Sequence, residues 1–391
     1  MYSARLAKRA VMNVKKSAGA AIGRALQRVN RRLLDLQKMD WAEPDYDSTE
    51  EPPEALLSAL ADFTAEVSAS LADQPALLQR EEALADLYFD SLHFIRVAQE
   101  WGPEFRLRLH RFASRDRANG SQSLVVALNC LDPARLLSQR QQRAHAVVAF
   151  SATLSPQHWS RKSLGLAEDA VCLRASSPFD PGQLRVWLAT DTDTRYRQRE
   201  RTMGELAGLL RQWLAQKPGN CIVYFPSYRY RDDCLALLKD HLRGRHLWVQ
   251  EPEESEERRA QLMDLLREHR DLAAFCILGG IFGEGIDLPG EQLSSVVVVG
   301  VGMPQVNRDT RELQAWYQRE SASAFEYTYL YPGMQKVDQA LGRVVRSPED
   351  SGSALLIDPR YASVQYRQLL PPWWEYRQWP PANPGDIEPP E

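Results

Sequence analysis

The strongest constraint on the fold is an alternation of short apolar segments and helix-length segments from about residue 141 onward. The valine-rich run 295–301 is too apolar for an edge strand, so we expect a central parallel strand there. Residues 221–225, 274–278 and 354–357 have the same character, and helix-length segments separate them. This alternation predicts a doubly wound α/β domain, in which ligands bind at the carboxyl ends of the strands.

A second feature is the spacing Q-x-x-G-R-x-x-R, formed by Gln339, Gly342, Arg343 and Arg346. We predict a helix over residues 335–346, on which these positions follow i, i+3, i+4, i+7 and share one face. Two guanidiniums with no carboxylate at that spacing suit phosphate binding, because Arg offers a rigid fork of donors that stays charged. Taken alone, the pattern is explained equally well by a solvated amphipathic helix.

Two further segments carry polar residues directly after predicted strands. Residues 146–149 predict a buried strand that ends in a hydroxyl-bearing turn with Ser151 and Thr153. The predicted strand 274–278 runs into a glycine-rich loop that holds Gly283, Glu284, Gly285 and Asp287. A strand terminus or a polar turn explains each segment by itself. Their order along the chain, ahead of the Q-x-x-G-R-x-x-R segment, indicates one functional site.

In this order the three segments resemble motifs III, V and VI of superfamily 2 helicases, and they most resemble the DinG/XPD-type DNA helicases. Residues 220–228 resemble motif IV, and Tyr331-Pro332-Gly333 leads into motif VI in the manner of that branch. The resemblance covers residues 140–375. It implies an enzyme that couples ATP hydrolysis to translocation on single-stranded DNA and to duplex unwinding. ATP, Mg²⁺ and single-stranded or forked DNA are its implied ligands and partners.

The resemblance also implies roles for individual residues. Arg346 is the candidate arginine finger that reaches the γ-phosphate, Arg343 braces the same phosphates, and Gln339 orients water or the γ-phosphate. The residues implied to couple nucleotide and DNA are Ser151, Thr153, Gly283, Glu284, Gly285, Asp287 and Gly342. The candidates for nucleic-acid binding are Tyr228, Arg229 and Arg231, for which a solvated helix start is an equally good explanation.

Two parts of such an enzyme have no counterpart in the 391 residues. The sequence contains no G-x-x-x-x-G-K-[ST] phosphate loop and no D-E-A-H, so it lacks the backbone cradle for phosphates and the Mg²⁺ carboxylate. The resemblance therefore implies a C-terminal half that starts just after the DEAH box. Such a half would be inactive alone, and the missing N-terminal helicase half would be its partner. The alternative is a non-catalytic remnant that binds nucleic acid or a protein partner.

Composition sets further limits. No apolar run approaches the length of a bilayer span and no signal-peptide pattern opens the chain, so we expect a cytoplasmic protein without a membrane partner. The five cysteines are scattered, which predicts neither a metal site nor a disulfide framework; an iron–sulfur cluster of the intact protein would have its ligands outside this chain. The net charge of −4 does not indicate nucleic-acid binding. Residues 1–38, however, hold ten Lys/Arg and one acid, which suits either a phosphate backbone or a solvated helix face.

These observations predict a RecA-like doubly wound parallel sheet, the second domain of a helicase, preceded by a mainly helical arch-like insertion. We predict four regions along the chain. They are a mainly helical arch-like region at 1–122, the end of a first RecA-like domain with motif III at 123–190, a second RecA-like domain with motifs IV–VI at 191–376, and a disordered tail at 377–391.

Overall fold

The computed structural model describes residues 2–113, 122–242, 244–252, 255–280, 290–320 and 323–381. They divide into two compact units. The first contains residues up to 147 together with 161–168, and the second contains residues 148–160 and those from 169 onward.

The helices and strands alternate through most of the chain. The strands are β1 Ala4–Ala7, β2 Tyr46–Thr49, β3 Phe105–Ala113, β4 Gln122–Cys130, β5 Leu184–Ala189, β6 Cys221–Phe225, β7 His246–Val249, β8 Leu272–Ile277, β9 Ser295–Val299, β10 Gly352–Ile357 and β11 Glu375–Gln378. The helices are α1 Lys8–Ser17, α2 Ala20–Lys38, α3 Glu54–Asp73, α4 Leu77–Arg80, α5 Glu82–Ala98, α6 Ala134–Gln141, α7 Gln157–Ser163, α8 Arg199–Gln216, α9 Tyr228–Leu238, α10 Glu256–Glu268, α11 Arg308–Glu320, α12 Tyr331–Leu341 and α13 Val364–Arg367. A π-helical turn, Glu326–Leu330, leads directly into α12.

The second unit contains a seven-stranded parallel sheet in the order β11-β5-β10-β9-β6-β8-β7. β9 is its central strand, and its side chains alternate between two cores: Val296 and Val298 pack on one face of the sheet, and Val297 and Val299 on the other. A strand covered on both faces has no solvent side, which is why this run consists of valine without polar alternation. The predicted RecA-like α/β fold is confirmed.

The first unit differs from the prediction of a mainly helical region. It has the predicted helices, but they pack on a four-stranded antiparallel sheet in the order β1-β4-β3-β2. The prediction of a mainly helical region 1–122 is wrong beyond Ala98, because Phe105, Leu107 and Leu109, the apolar residues at every second position of β3, pack in the core of the first unit. That spacing matches the two-residue period of a strand rather than the 3.6-residue period of a helix.

The compact units also place two strands differently from the predicted regions. β4 opens the predicted region 123–190 yet pairs with β1 and β3 in the first unit. β5, near the end of that region, pairs with β10 and β11 in the second unit. Strand pairing, which sequence spacing does not report, sets the boundaries between units.

Helix α3 is long and apolar enough to cross a membrane by length and composition alone. Its residues Leu56, Leu60, Phe63 and Val67 are buried in the core of the first unit. Its apolar stripe therefore serves as core packing for the helices and sheet around it.

Candidate active site

The Q-x-x-G-R-x-x-R segment does not form one continuous helix. α12 ends at Leu341, and Gly342, Arg343 and Val344 form a tight turn. The amide of Gly342 donates to the carbonyl of Asp338 at 2.9 Å, and the next two amides donate three residues back. This i to i−3 tightening ends the helix while Val344 and Val345 enter the core. The predicted helix over 335–346 is therefore too long by five residues, and its shared polar face does not form.

The two arginines consequently point to different environments. Arg343 is buried with 5% of its surface exposed, and its charge lies near the buried phenol of Tyr224 on β6. Arg346 is exposed beyond the turn, and Gln339 is half-buried in the last turn of α12. Gly342 is exposed, and an added Cβ there would meet only the carbonyls of its own helix, that of Asp338 at 3.3 Å. The geometry thus leaves Arg346 as the arginine that can reach outward from this segment.

A buried carboxylate, Asp350, fixes the main chain that carries Arg346. Its Oδ2 accepts hydrogen bonds from the amides of Arg346 at 2.8 Å and Ser347 at 2.9 Å. Its Oδ1 accepts one from the amide of Gly290 at 3.0 Å. Although burial acts to raise the pKa of Asp350, these amide donors lower it below its usual range. The side chain of Asp350 thus links the main chain at Gly290 to the turn that carries Arg346.

Asp350 is the site residue that sequence reasoning missed. Gly290 lies at the end of the glycine-rich segment that holds Gly283, Glu284, Gly285 and Asp287, and those four residues lie outside the described residues. The clamp by Asp350 therefore connects the end of that loop to the Q-x-x-G-R-x-x-R segment. A buried acid seven residues after Arg343 carries no spacing signal of its own, which is why the sequence did not reveal it.

The predicted strand 146–149 is wrong: residues 146–150 have no strand structure. Val148 and Phe150 are 82% and 89% exposed. No strand within the described parts of the chain pairs with this segment, and a β-strand needs a neighbour to satisfy its backbone groups. The hydroxyls after it still form a turn, in which the amide of Thr153 donates to Oγ of Ser151 at 3.2 Å.

Helix α12 contacts this turn directly. Nε2 of Gln335 donates to the carbonyl of Thr153 at 2.7 Å, four residues before Gln339 on the same helix. The ring of Tyr331 packs edge-on against His158, and the hydroxyl of Tyr331 lies 3.3 Å from Nε2 of His158. The structure therefore brings Ser151 and Thr153 next to the helix that leads to Arg346.

Gly333, in the Tyr331-Pro332-Gly333 segment of α12, allows this helix to approach the segment after β9 closely. An added Cβ at Gly333 would lie 2.7 Å from the carbonyl oxygen of Val301, and one at Gly302 would lie 2.5 Å from the carbonyl oxygen of Gly333. The helix and the segment after β9 thus approach so closely that neither position has room for a side chain. This contact sets the position of α12 against the carboxyl end of the central strand.

The candidates for nucleic-acid binding separate at the start of α9. Arg229 is exposed and makes only a loose ion pair with Asp233 at 3.9 Å. Arg231 is 4% exposed and donates to the carbonyl of Gln250 and, at 2.7 and 2.9 Å, to Asp232. It also lies 5.1 Å above the ring of Tyr228. Arg231 therefore fixes the loop after β7, whereas Arg229 is available to a ligand.

A second carboxylate network lies at the carboxyl end of β10. Asp358 is fully buried; Thr194 donates to its Oδ2, and Arg360 binds both carboxylate oxygens at 2.7 and 2.8 Å. The same edge of the sheet presents Arg195, whose side chain is 59% exposed, and Tyr196, which is 80% exposed. The sequence run 191–199 carries no motif signal, because an alternation of acids, threonines and arginines resembles an ordinary loop.

Comparison with known proteins agrees with these motifs. Residues 210–377 match the family described as the helicase C-terminal domain. The chain is 23% identical over 280 residues to the XPD helicase subunit of general transcription and DNA repair factor IIH from Dictyostelium discoideum, covering 66% of this chain and 35% of that protein. It is 22% identical over 233 residues to the ATP-dependent DNA helicase XPD of Sulfolobus acidocaldarius, covering 58% and 41%. The matched part of the chain thus spans between about a third and two fifths of the length of these relatives.

Solved structures give the same fold. A structure titled XPD helicase superposes with a TM-score of 0.58 at 18% identity, covering 96% of this chain and 65% of that one. The structure of Xpd4 from S. tokodaii superposes with a TM-score of 0.56 at 15% identity, covering 96% and 72%. Residues 210–377 thus match a helicase C-terminal domain, and the chain is similar in sequence and fold to XPD-type DNA helicases.

Proposed function

We propose that this chain is the C-terminal motor portion of an ATP-dependent DNA helicase that moves along single-stranded DNA and unwinds duplexes. In this proposal Arg346 acts as the arginine finger on the γ-phosphate of a nucleotide held by an N-terminal helicase half. Arg343 and Gln339 support the same phosphates, and Ser151 and Thr153 pass the nucleotide state toward DNA.

The observation that carries the proposal is the clamp by Asp350. An exposed guanidinium is useful for phosphoryl transfer only if its backbone is held in place, since catalysis of this reaction depends on positioning and charge. Asp350 holds the backbone of Arg346 and also holds Gly290, at the end of the motif V loop. A change in that loop on nucleotide or DNA binding would therefore be transmitted to the arginine.

The described residues fit the phosphate end of ATP but not the Mg²⁺ ion. Arg346 supplies the charged donors that a phosphate requires. Asp350, the carboxylate that holds its main chain, already accepts three amide hydrogen bonds, so it does not offer the oxygens of a Mg²⁺ site. In this proposal the N-terminal half therefore supplies the metal site, and the residues of this chain orient and neutralise the phosphates.

DNA contact is proposed at the carboxyl edge of the parallel sheet, where ligands bind in such folds. Arg229 offers an exposed guanidinium and Tyr196 an exposed ring, while the exposed guanidinium of Arg195 is paired with the carboxylate of Asp193. Single strands are held by base stacking on aromatic rings together with a basic surface. We expect Arg229→Ala to weaken binding of a single-stranded oligonucleotide, measured by fluorescence anisotropy, and to reduce its salt dependence.

The decisive experiment compares ATP turnover by the chain alone with turnover by the chain together with an N-terminal helicase half, which supplies the phosphate-binding loop. The chain alone should bind single-stranded DNA but show no DNA-stimulated ATP hydrolysis. A fusion or mixture with an N-terminal helicase half should restore it. In that assembly Arg346→Ala should lower turnover by about 10³–10⁵-fold, the usual contribution of an arginine finger, and leave DNA affinity unchanged.

Arg267→Ala is the matched control, because Arg267 is an exposed arginine on α10 whose side chain forms an ion pair with Asp264. It should leave turnover and DNA affinity unchanged. Turnover by the chain alone that Arg346→Ala abolishes would disprove the need for a second half. Equal loss of turnover and DNA binding in Arg346→Ala would show a structural role for the arginine instead.

A further inference from the structure

Two histidines and an aspartate meet at the amino ends of β7 and β8, on the opposite edge of the sheet from the motif loops. His246 is the first residue of β7, His269 directly follows α10, and Asp271 directly precedes β8. One ring nitrogen of each histidine and one carboxylate oxygen of Asp271 all lie within 4.8 Å of one another. The two imidazole rings are 3.7 Å apart between centroids and tilted by 36°.

The backbone that carries this cluster is held from below by Asn220, which is fully buried. Nδ2 of Asn220 donates to the carbonyl of His269 at 2.8 Å, and its Oδ1 accepts from the amide of Leu272 at 2.9 Å. Nε of Arg245 donates to the carbonyl of Asp271 at 3.0 Å. The three side chains thus project from main chain that is already fixed, so bringing them to one ion requires only side-chain rotation.

The ligand atoms themselves are not engaged elsewhere. Within the described part of the chain, no hydrogen bond or ion pair holds the carboxylate of Asp271 or the ring nitrogens of His246 and His269. The guanidinium of Arg245 donates to the carbonyls of Asp271, Leu214 and Gly219, so it does not neutralise the carboxylate of Asp271. The cluster is half-buried to exposed, which leaves it open to an ion from solvent.

We propose that His246, His269 and Asp271 bind one Zn²⁺-type transition-metal ion, with water completing the coordination. Two imidazole nitrogens and one carboxylate oxygen form a donor set that suits Zn²⁺, Co²⁺ and Ni²⁺, whereas Ca²⁺ and Mg²⁺ prefer oxygen ligands throughout. The ion would join the first residue of edge strand β7 to the segment between α10 and β8. Its role is structural, and it is independent of the nucleotide chemistry proposed above.

The test is a calorimetric titration of the full chain, stripped of metal with EDTA and dialysed, with Zn²⁺ near pH 7.5. We expect one ion per chain with a dissociation constant below about 10 µM, and a rise in the melting temperature on binding. Co²⁺ in place of Zn²⁺ should give the visible absorption of a low-coordinate site. Absence of binding up to millimolar Zn²⁺ would disprove the site.

Two ligand variants and two control variants assign the ion to these residues. His269→Ala and the isosteric Asp271→Asn should each weaken Zn²⁺ binding at least about tenfold, since even outer-sphere changes cost that much at metal sites. His241→Ala, an exposed histidine five residues before His246, should bind Zn²⁺ like the parent chain. Cys172→Ser, which removes the exposed thiol, should also bind normally. Unchanged affinity in Asp271→Asn, or its loss in Cys172→Ser, would place the ion elsewhere and overturn the proposal.

Discussion

Two apolar segments that each precede a serine have opposite fates in this protein. β6, Cys221–Phe225, lies between β9 and β8, and all five of its residues are buried. Residues 147–150, which read Val-Val-Ala-Phe, have no strand structure, and Phe150 is 89% exposed. An apolar run therefore indicates that a segment is able to form a buried strand. Whether it does so depends on the neighbouring strands with which it can pair.

The same distinction separates two carboxylates on either side of the Q-x-x-G-R-x-x-R segment's turn. Asp350 is buried and accepts three amide hydrogen bonds. Asp338, on α12, has a buried Oδ1 with no hydrogen-bond partner among the described residues. Polar groups, like apolar strands, are stable in the interior only where the chain supplies their partners.

The largest effect should come from the same substitution at the two apolar segments. Phe225→Ala should lower the free energy of unfolding of the second unit by about 3–5 kcal/mol, because it leaves a cavity in a filled core. Phe150→Ala should change it by less than about 0.5 kcal/mol, because its ring is exposed. Denaturant unfolding of both variants measures the pair. A comparable loss in Phe150→Ala would show that residues 147–150 are packed after all.

The next largest effect should follow from removing the carboxylate that has partners. Asp350→Ala should lower the free energy of unfolding by about 2–4 kcal/mol, because it leaves three amides without acceptors. The native state holds the pKa of Asp350 below its unfolded value, so its contribution is present above the unfolded pKa. That contribution is lost as the pH falls through the lowered native value.

Urea unfolding of the parent chain and of Asp350→Asn across the acid range measures this dependence. The variant, which cannot ionise, should lose less stability than the parent as the pH falls through that window. Parallel curves would mean that Asp350 ionises with an unperturbed pKa, and the clamp around Arg346 would then be weaker than its geometry indicates.

The sheet of the second unit could be predicted well from the sequence because its central strands are continuously apolar. β6 was predicted to the residue, and β8, β9 and β10 to within two residues, since strands buried on both faces are continuously apolar. The helical prediction was wrong for β3, where Phe105, Leu107 and Leu109 alternate with polar residues in the two-residue period of a strand, although the arginines at 106 and 108 are themselves buried. Burial of charged groups depends on partners distant in the chain.

The site was predicted in part for the same reason. The spacing located Arg343 and Arg346 but placed them on one helical face, because the turn at Gly342 depends on Val344 and Val345 entering the core. The role of Asp350 could not be predicted, since its three donors come from two segments that lie far apart in the sequence, Gly290 and the turn of Arg346 and Ser347. Local spacing reports residue types, and tertiary contacts decide their orientation.

Replacing Asp338, whose buried Oδ1 has no hydrogen-bond partner among the described residues, should raise the free energy of unfolding, whereas replacing Asp350 should lower it. Burial raises the pKa of Asp338 well above its ordinary value. The native state therefore binds the proton more tightly than the unfolded chain, and stability is lost as the pH rises through the raised pKa. Asp338→Asn should raise the free energy of unfolding at neutral pH by about 1–2 kcal/mol and reduce this dependence on pH.

Asp264→Asn is the control for this variant, because Asp264 is 64% exposed on α10 and should change stability little. Unfolding curves from pH 5 to pH 8 test the sign. A loss of stability in Asp338→Asn would mean that the carboxylate has an attractive partner in solution, and the contrast with Asp350 would fail.

The smallest expected effect is the difference in stability between alanine variants of the two serines that follow the apolar segments. Ser227 caps α9 by accepting from the amide of Tyr230 at 3.4 Å, so Ser227→Ala should cost about 0.5–1 kcal/mol. Ser151 accepts from the amide of Thr153 in an exposed turn, where water replaces the lost acceptor, so Ser151→Ala should change stability by less than about 0.5 kcal/mol. Thermal unfolding of the two variants side by side resolves the difference. Should Ser151→Ala cost as much as Ser227→Ala, the turn of Ser151 would be a fixed part of the native fold in spite of its exposure, and the two segments would differ in pairing but not in order.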